Sequence, residues 1–223
     1  CKHNILRPFR RRPFMPRAIH YIATHRCNAR CTMCGIWREK GENGEELSVG
    51  DLDAILADRL FSRLKYVGIS GGEPFLRNDL PELIETFYAR CPHTQRVSIT
   101  TNGILTERIE TMLPRLLSVT KEAGGLLDIS ISCHAKGILL DEIYGGQNAF
   151  DMIGATLDVL KRHRAEGDLT ASLNCVLLQS NLDSAAALQD WAREQGLSVS
   201  FVVGEQRDRF GNTEMQDAFV GAE

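Results

Sequence analysis

The chain has 223 residues, of which 43% are hydrophobic and 25% charged, with a formal net charge of −3. These values are ordinary for one globular domain that buries roughly 70% of its extended surface. The net charge gives no reason to expect nucleic acid as a partner, and no apolar run approaches the roughly 20 residues of a membrane helix.

The chain begins with a basic, proline-containing segment, residues 1–17, which carries five arginines. This segment has no apolar signal core, so the sequence predicts a cytoplasmic protein. We interpret the segment as a solvated arm, and a cover for an anionic substrate or partner is the alternative. Residues 18–204 are expected to form the catalytic core, and residues 205–223 a C-terminal tail that begins a further region of a longer protein.

Six short segments rich in β-branched or aromatic residues predict β-strands. They cover residues 18–24, 66–70, 96–101, 126–133, 170–178 and 198–203. Between them, apolar residues recur at helical spacing and predict five helices. These helices span approximately residues 48–60, 80–89, 106–119, 150–164 and 182–195.

Local signals set the helix ends. Ser48 is a good N-cap for the first helix. Pro92 ends the second helix before Cys91, because proline disfavours helical geometry in the residue that precedes it. Pro114 predicts a kink or break in the third helix, and Gly196 is a natural stop for the last.

Strands that alternate with helices predict an α/β protein whose parallel sheet is covered by helices. Right-handed crossovers either curl such a sheet in one direction or spread it flat with helices on both faces. In both arrangements ligands bind at the carboxyl ends of the strands. The most unusual residues of this chain all follow strands, which agrees with that rule.

Three cysteines follow the first predicted strand. Cys27, Cys31 and Cys34 have the spacing Cys-x-x-x-Cys-x-x-Cys. Three thiolates in one loop can converge on one inorganic centre, and iron–sulfur cubanes are held by cysteine thiolates, usually four. With three thiolates, one iron stays open to an exogenous ligand.

Zinc is the alternative occupant of this loop. A structural zinc site needs four ligands, and His20 or His25 could supply the fourth. However, His25 is only two residues from Cys27, and no second cysteine pair follows. The other internal cysteines are scattered singly and are interpreted as small buried side chains. They are Cys91, Cys133 and Cys175.

A Gly-Gly-Glu-Pro turn follows the second predicted strand. Gly71 and Gly72 let backbone N–H and C=O groups approach a ligand closely. The Glu73 carboxylate could hold an ammonium group, and Pro74 stiffens the exit from the turn. Taken alone, the segment is equally well explained as a tight turn.

The cysteine spacing and this turn together resemble the hallmarks of the radical S-adenosylmethionine (SAM) superfamily. The resemblance extends from about residue 16 to residue 204. It implies a partial (β/α)6 TIM-like barrel and a four-iron–four-sulfur cluster on Cys27, Cys31 and Cys34, with SAM bound at the open iron. It also implies reductive cleavage of SAM to a 5′-deoxyadenosyl radical that removes a hydrogen atom from the substrate. The cofactor supplies the hard chemistry, while the protein positions it.

The resemblance also implies contacts to SAM from the two loops. Met33, just before the third cysteine, matches a residue that lies near the adenine. Gly71, Gly72 and Glu73 match the turn that holds the SAM amino group.

Three further SAM contacts are implied on the strands. Thr100 matches a hydroxyl at the end of the third strand, and Asn174 matches an asparagine near the SAM carboxylate or ribose. The alternatives are a plain turn after Thr100 and a structural amide at Asn174. Ser130 matches the contact on the fourth strand, while Ser132 replaces the acid that the family often has there. His134 shares their face and is either a substrate contact or a loop histidine.

The predicted activity is therefore that of an anaerobic radical SAM enzyme, acting on a small-molecule or peptide substrate that enters through the barrel mouth. An external donor such as flavodoxin or ferredoxin would supply the electron. The sequence does not choose among epimerisation, dehydrogenation, bond formation and rearrangement. The alternative from another class is a non-catalytic zinc or iron–sulfur module, in which the cysteines and the turn only stabilise the fold.

Overall fold

The computed structural model describes residues 15–38, 46–164 and 169–221. All but the last three residues of the predicted basic arm lie outside the described residues, as do the final two of the predicted tail. The described chain forms one six-stranded parallel sheet in the order β1-β2-β3-β4-β5-β6. The strands are β1 Ala18–Thr24, β2 Tyr66–Gly71, β3 Arg96–Thr101, β4 Leu126–Ser132, β5 Leu169–Leu177 and β6 Val199–Val203.

Six α-helices are present in the described ranges. They are α1 Val49–Leu56, α2 Leu80–Arg90, α3 Thr106–Glu122, α4 Ile138–Tyr144, α5 Ala149–Arg164 and α6 Ala185–Glu194. The Ser48 cap is confirmed as a capping box with Asp51. Of the kink or break predicted at Pro114, the break is wrong, because α3 continues through Pro114 while Leu113 and Leu116 stay fully buried.

Helix α4 was not predicted from the sequence. It is a short helix between Gly137 and Gly145, and both glycines have positive φ. Gly145 ends it in the left-handed conformation that favours glycine at this position. The apolar spacing of Leu140, Ile143 and Tyr144, which are all buried, was the signal available for it.

The sequential strand order decides between the two sheet arrangements. A flat, doubly wound sheet reverses its strand order at a switch point. Here every strand is added on the same side of the preceding one, so the helices cover one face and the sheet curls around the other. The partial (β/α)6 barrel is therefore confirmed.

The two faces of the sheet differ sharply in composition. The face toward the helices carries Val97, Ile99, Leu127, Ile129 and Ile131, all with 0% exposure. The opposite, concave side, here called the inner face, carries a group of small hydroxyl side chains that are partly or fully exposed. They are Ser70, Ser98, Thr100, Ser130, Ser132, Thr170, Ser172 and Ser200.

No helix within the described ranges has the length and apolar character needed to cross a lipid bilayer.

Candidate functional site

A cavity of about 340 Å³ lies at the carboxyl ends of the strands. Its volume falls in the range of small-molecule sites. The three thiols of Cys27, Cys31 and Cys34 all line it. The chain therefore brings the whole cysteine motif to one concave surface, at the end of the sheet where ligands are expected.

The Gly-Gly-Glu-Pro turn holds the start of the cysteine loop. The Gly72 N–H donates to the Thr24 carbonyl at 2.7 Å, and the Glu73 N–H donates to the Arg26 carbonyl at 2.8 Å. A Cβ on Gly72 would lie 2.1 Å from the Arg26 oxygen, so this close approach requires glycine. Gly71 has a φ of +133°, and a Cβ there would lie 2.3 Å from the Thr24 oxygen. Both glycines also line the cavity.

Helix α4 supports the middle of the cysteine loop. Its last residues accept hydrogen bonds from the loop backbone, Arg30 N–H to the Tyr144 carbonyl and Thr32 N–H to the Ile143 carbonyl, both at 2.9 Å. The Tyr144 hydroxyl in turn donates to the carbonyls of Ser132 and Asn102. One tyrosine thus joins the cysteine loop to the ends of β3 and β4.

The C-terminal segment closes the remaining side. The Gly35 N–H donates to the Phe210 carbonyl at 2.7 Å, and the Asn212 side-chain amide donates to the Met33 carbonyl at 2.9 Å. Phe210, Asn212 and Phe219 line the cavity. The described part of the predicted 205–223 tail therefore packs against the cysteine loop and completes the cavity wall.

Glu73 is completely buried, and its carboxylate points into the protein interior. One oxygen accepts from the Phe75 N–H at 3.1 Å and from the Thr101 hydroxyl at 2.9 Å, and the other accepts from the Asn102 N–H at 2.7 Å. Burial raises the pKa of Glu73 to about 7, against the lowering effect of these bonds. The carboxylate fastens the turn to the end of β3.

The three motif cysteines are partly buried side chains of the cavity wall. Burial raises the pKa of Cys27, and burial together with the neighbouring thiols raises the pKa of Cys31. The Asn102 amide donates to the Cys27 sulfur at 3.9 Å and to the Asn28 side-chain oxygen at 2.7 Å. Since metal binding requires deprotonated thiols, a cation in this loop would offset the cost of ionising them.

The SAM contacts predicted on the strands lie at different distances from the cavity. Thr100 and Asn174 line the cavity, and the buried side-chain oxygen of Asn174 has no hydrogen-bond partner among the described residues. An unpaired buried acceptor is costly unless a donor meets it, so this atom fits a ligand with an amino or hydroxyl group. Ser130 lies on the inner face below the cavity, and Ser132, two residues further along the same face, lines it instead.

Met33 and Trp37 line the cavity from the cysteine loop. The Met33 side chain is 8% exposed. The guanidinium groups of Arg30 and Arg38 both lie over the Trp37 ring, at 4.9 and 5.0 Å from the ring centre. These contacts hold the indole as a cover on this side of the cavity.

His134 lies at the far end of β4 and lines the cavity. Its Nδ1 accepts from the Val176 N–H at 3.1 Å, so the neutral ring carries its proton on Nε2. Burial lowers the pKa of His134 to about 4. The imidazole is therefore neutral at physiological pH.

Sequence reasoning missed several of these residues. Asn102 follows Thr100 in a segment that resembles a family motif, with a plain turn as the alternative, and its contact with the cysteine loop was not predicted. Tyr144 and Asn212 were not considered, because nothing local to them signals a contact with a loop distant in sequence. The hydrophobic pattern of α4 could have drawn attention to Tyr144.

The donor set suits an iron–sulfur cubane. A cubane takes each thiolate on a different iron, so its ligands surround the cluster and need not meet at one point. Over residues 15–38, 46–164 and 169–221, no three His, Cys, Asp or Glu side chains lie close enough to hold a single metal ion. The three cysteines that line the cavity are thiolate ligands of the kind that such a cluster takes.

The family of this chain is identified by comparison with known proteins. The model of the radical SAM superfamily matches residues 21–192. The chain belongs to the radical SAM superfamily. The cofactors of this family are the four-iron–four-sulfur cluster and SAM, so the family predicted from the two motifs is confirmed.

Two curated relatives show the range of this similarity. A probable GTP 3′,8-cyclase of Methanococcus maripaludis is 35% identical over 190 residues, which are 83% of this chain and 58% of the relative. The PqqA peptide cyclase of Granulibacter bethesdensis is 29% identical over 185 residues, 82% of this chain and 46% of the relative. The radical SAM chain thus spans about half the length of the curated relatives it matches.

Among solved structures, Streptococcus suis SuiB bound to S-adenosylmethionine superposes with a TM-score of 0.65 at 16% identity. The superposition covers 89% of this chain and 43% of SuiB. At this identity the likeness supports the fold alone, and it agrees with the partial barrel.

Proposed function

We propose that the protein is a radical SAM enzyme that cleaves SAM reductively and uses the resulting 5′-deoxyadenosyl radical to remove hydrogen from an organic or peptide substrate. The observation that carries this proposal is the cavity. It gathers Cys27, Cys31 and Cys34, the paired glycines of the turn and the unpartnered acceptor of Asn174.

The proposed roles follow from position. Cys27, Cys31 and Cys34 would hold the cluster, which supplies the electron for SAM cleavage when it is bound. Gly71 and Gly72 present their backbone to the cavity next to the cysteine loop. Asn174 offers its buried oxygen to a donor, and Thr100 offers a hydroxyl on the same surface. Met33 supplies an apolar contact for a flat ring.

Exclusion of water is the second task of these residues. A carbon radical needs an enclosed site, and solvent access also influences the potential of a cluster. Trp37, Phe210 and Phe219 form apolar parts of the wall, and Asn212 holds the C-terminal segment against the cysteine loop. Their arrangement supports an enclosed reaction.

The substrate class is inferred from the relatives. One is named for cyclising GTP and another for cyclising a peptide. We infer a small-molecule or peptide substrate, and an external electron donor such as flavodoxin or ferredoxin. A cytoplasmic location is also inferred, because the cysteines at positions 27, 31, 34, 91, 133 and 175 are free thiols.

The test is product analysis under anaerobic conditions. The chain is reconstituted with iron and sulfide, mixed with SAM and dithionite, and assayed for 5′-deoxyadenosine. We expect a reductant-dependent product in the wild type and background in Cys31→Ala. A metal-binding module would give no 5′-deoxyadenosine in either protein, and that result would refute the proposal.

A further inference from the structure

The inner face below the cavity carries an acidic group that the proposed roles do not use. Asp128 lies on β4, in register with Ser98 on β3 and Thr170 on β5. The Ser98 hydroxyl donates to one carboxylate oxygen at 2.7 Å, and the Thr170 hydroxyl donates to the other at 2.5 Å. The two neighbours fix the carboxylate plane from both sides.

Within the described part of the chain, no lysine, arginine or histidine forms an ion pair with Asp128. A carboxylate offers about four acceptor positions, and two hydroxyls occupy only two of them. Asp128 is also partly buried, so its charge is less well hydrated than that of a surface carboxylate.

The surrounding surface leaves room for a ligand. Tyr66, on β2 and one inner-face position below the row of Asp128, is 48% exposed. The side chains nearest to Asp128 are small hydroxyls rather than the bulky branched residues that fill a closed barrel. The concave side is therefore an open polar surface and not a packed core.

The distance to the cavity suits one extended substrate. Ser132 lines the cavity and lies four residues beyond Asp128 on the same strand. At about 3.3 Å per residue, the carboxylate is about 13 Å below that cavity wall. The row of Thr100, Ser130 and Ser172 lies between them on the same face.

We propose that this inner face binds the substrate and that Asp128 selects one with a positively charged nitrogen group, such as a guanidinium or ammonium. The charged end lies against Asp128, while the reacting carbon extends up toward the cavity. Charge complementarity supports this occupant, because a cation supplies a counter-charge that none of the ion pairs among the described residues gives to Asp128. This inference rests on the proposed function for the reaction of the bound substrate. The binding of a cation at Asp128 can be measured without that reaction.

The test uses a matched pair of probes. N-acetyl-arginine amide and N-acetyl-citrulline amide have nearly the same shape, and only the first is charged. Binding of each to the reconstituted protein with SAM is measured by NMR titration. We expect the wild type to bind the arginine probe at least about tenfold more tightly, as a hydrogen-bonded charge pair would give.

Two variants remove the negative charge at position 128 and keep a polar side chain there. Asp128→Asn keeps the shape of the side chain, and Asp128→Ser keeps a hydroxyl for Ser98 and Thr170. Both are expected to reduce the ratio of the two affinities to about one. Asp151→Asn, an exposed position on α5, is the control and should leave the ratio unchanged.

Two results would overturn the proposal: equal affinities in the wild type, or a preference that survives in both Asp128 variants. Formation of 5′-deoxyadenosine without substrate is measured in parallel. If the proposed SAM cleavage is correct, this product should form in the wild type and in the Asp151→Asn control. Failure of cleavage in every protein, with the probe preference intact, would refute the proposed reaction and not the Asp128 site.

Discussion

The two faces of the same sheet serve different purposes. Ile129 and Ser130 are neighbours on β4, yet the first is completely buried against the helices and the second lies on the inner face. Successive side chains of a strand point to opposite faces of the sheet. Neighbouring residues can therefore contribute separately, one to stability and the next to ligand binding. The outer face holds the barrel together, and the inner face and its upper rim are free to carry chemistry.

The largest effect is expected when a cysteine that lines the cavity, Cys31, is compared with a cysteine of the hydrophobic core, Cys91. Cys31→Ala should remove cluster binding and reduce 5′-deoxyadenosine to background, because one of three ligands is lost. Cys91→Ala, at a site with 0% exposure beyond α2, should keep the cluster. Iron and sulfide analysis per chain checks both variants, and equal iron content in the two would contradict the assignment.

The next comparison uses neighbouring residues of β4. Ile129→Ala should lower the free energy of unfolding by about 2–5 kcal/mol, because it leaves a cavity between the sheet and the helices. Ser130→Ala should change it by less than about 0.5 kcal/mol. Urea unfolding measures both. Similar losses would show that the inner face is packed as tightly as the outer one.

The Glu73 carboxyl group should make the free energy of unfolding depend on pH. Its pKa of about 7 in the folded protein exceeds the value of 4.5 expected for an unperturbed glutamate. Its contribution to stability is therefore complete below pH 4.5 and is lost as the pH rises through about 7. Relative to Glu73→Gln, the wild-type free energy of unfolding should fall over this range by up to about 3 kcal/mol.

Urea titrations of both proteins at several pH values measure that difference. Above pH 8 the difference between the two proteins should level off. A difference that is constant from pH 4 to pH 8 would show that Glu73 titrates normally.

A smaller effect is expected at Tyr144. Tyr144→Phe removes the hydroxyl that joins Asn102 to Ser132, and should cost about 1–2 kcal/mol. Tyr66→Phe, at a 48% exposed inner-face position, is the matched control and should have almost no effect. Thermal or urea unfolding distinguishes them. Equal stability of the two variants would remove Tyr144 from the support of the cysteine loop.

Much of the fold was predictable because the signals for it are local. The six strands alternate regularly, and Ser48 carries its own cap, so their positions were predicted within a few residues. The α4 helix was missed because it is only one to two turns long. The helix does not break at Pro114, because the packing of Leu113 and Leu116 outweighs one lost hydrogen bond.

The site was predicted only in part, for a physical reason. The cysteine spacing and the turn are contiguous motifs, and both were found. Asn102 meets Cys27 across 75 residues, and Asn212 meets Met33 across 179. Such contacts arise from the tertiary fold. Periodicity likewise placed Ser130 and Ser132 on one face, but it did not show which of them reaches the cavity.

The central claim is that three thiolates hold a cluster with one iron left for SAM. Electron–nuclear double resonance of the reduced, reconstituted protein with SAM labelled by ¹⁵N at its amino group tests it most directly. We predict a ¹⁵N coupling to the cluster that disappears when unlabelled SAM is used. A cluster signal with no such coupling, or a protein that holds zinc in place of iron, would contradict the account.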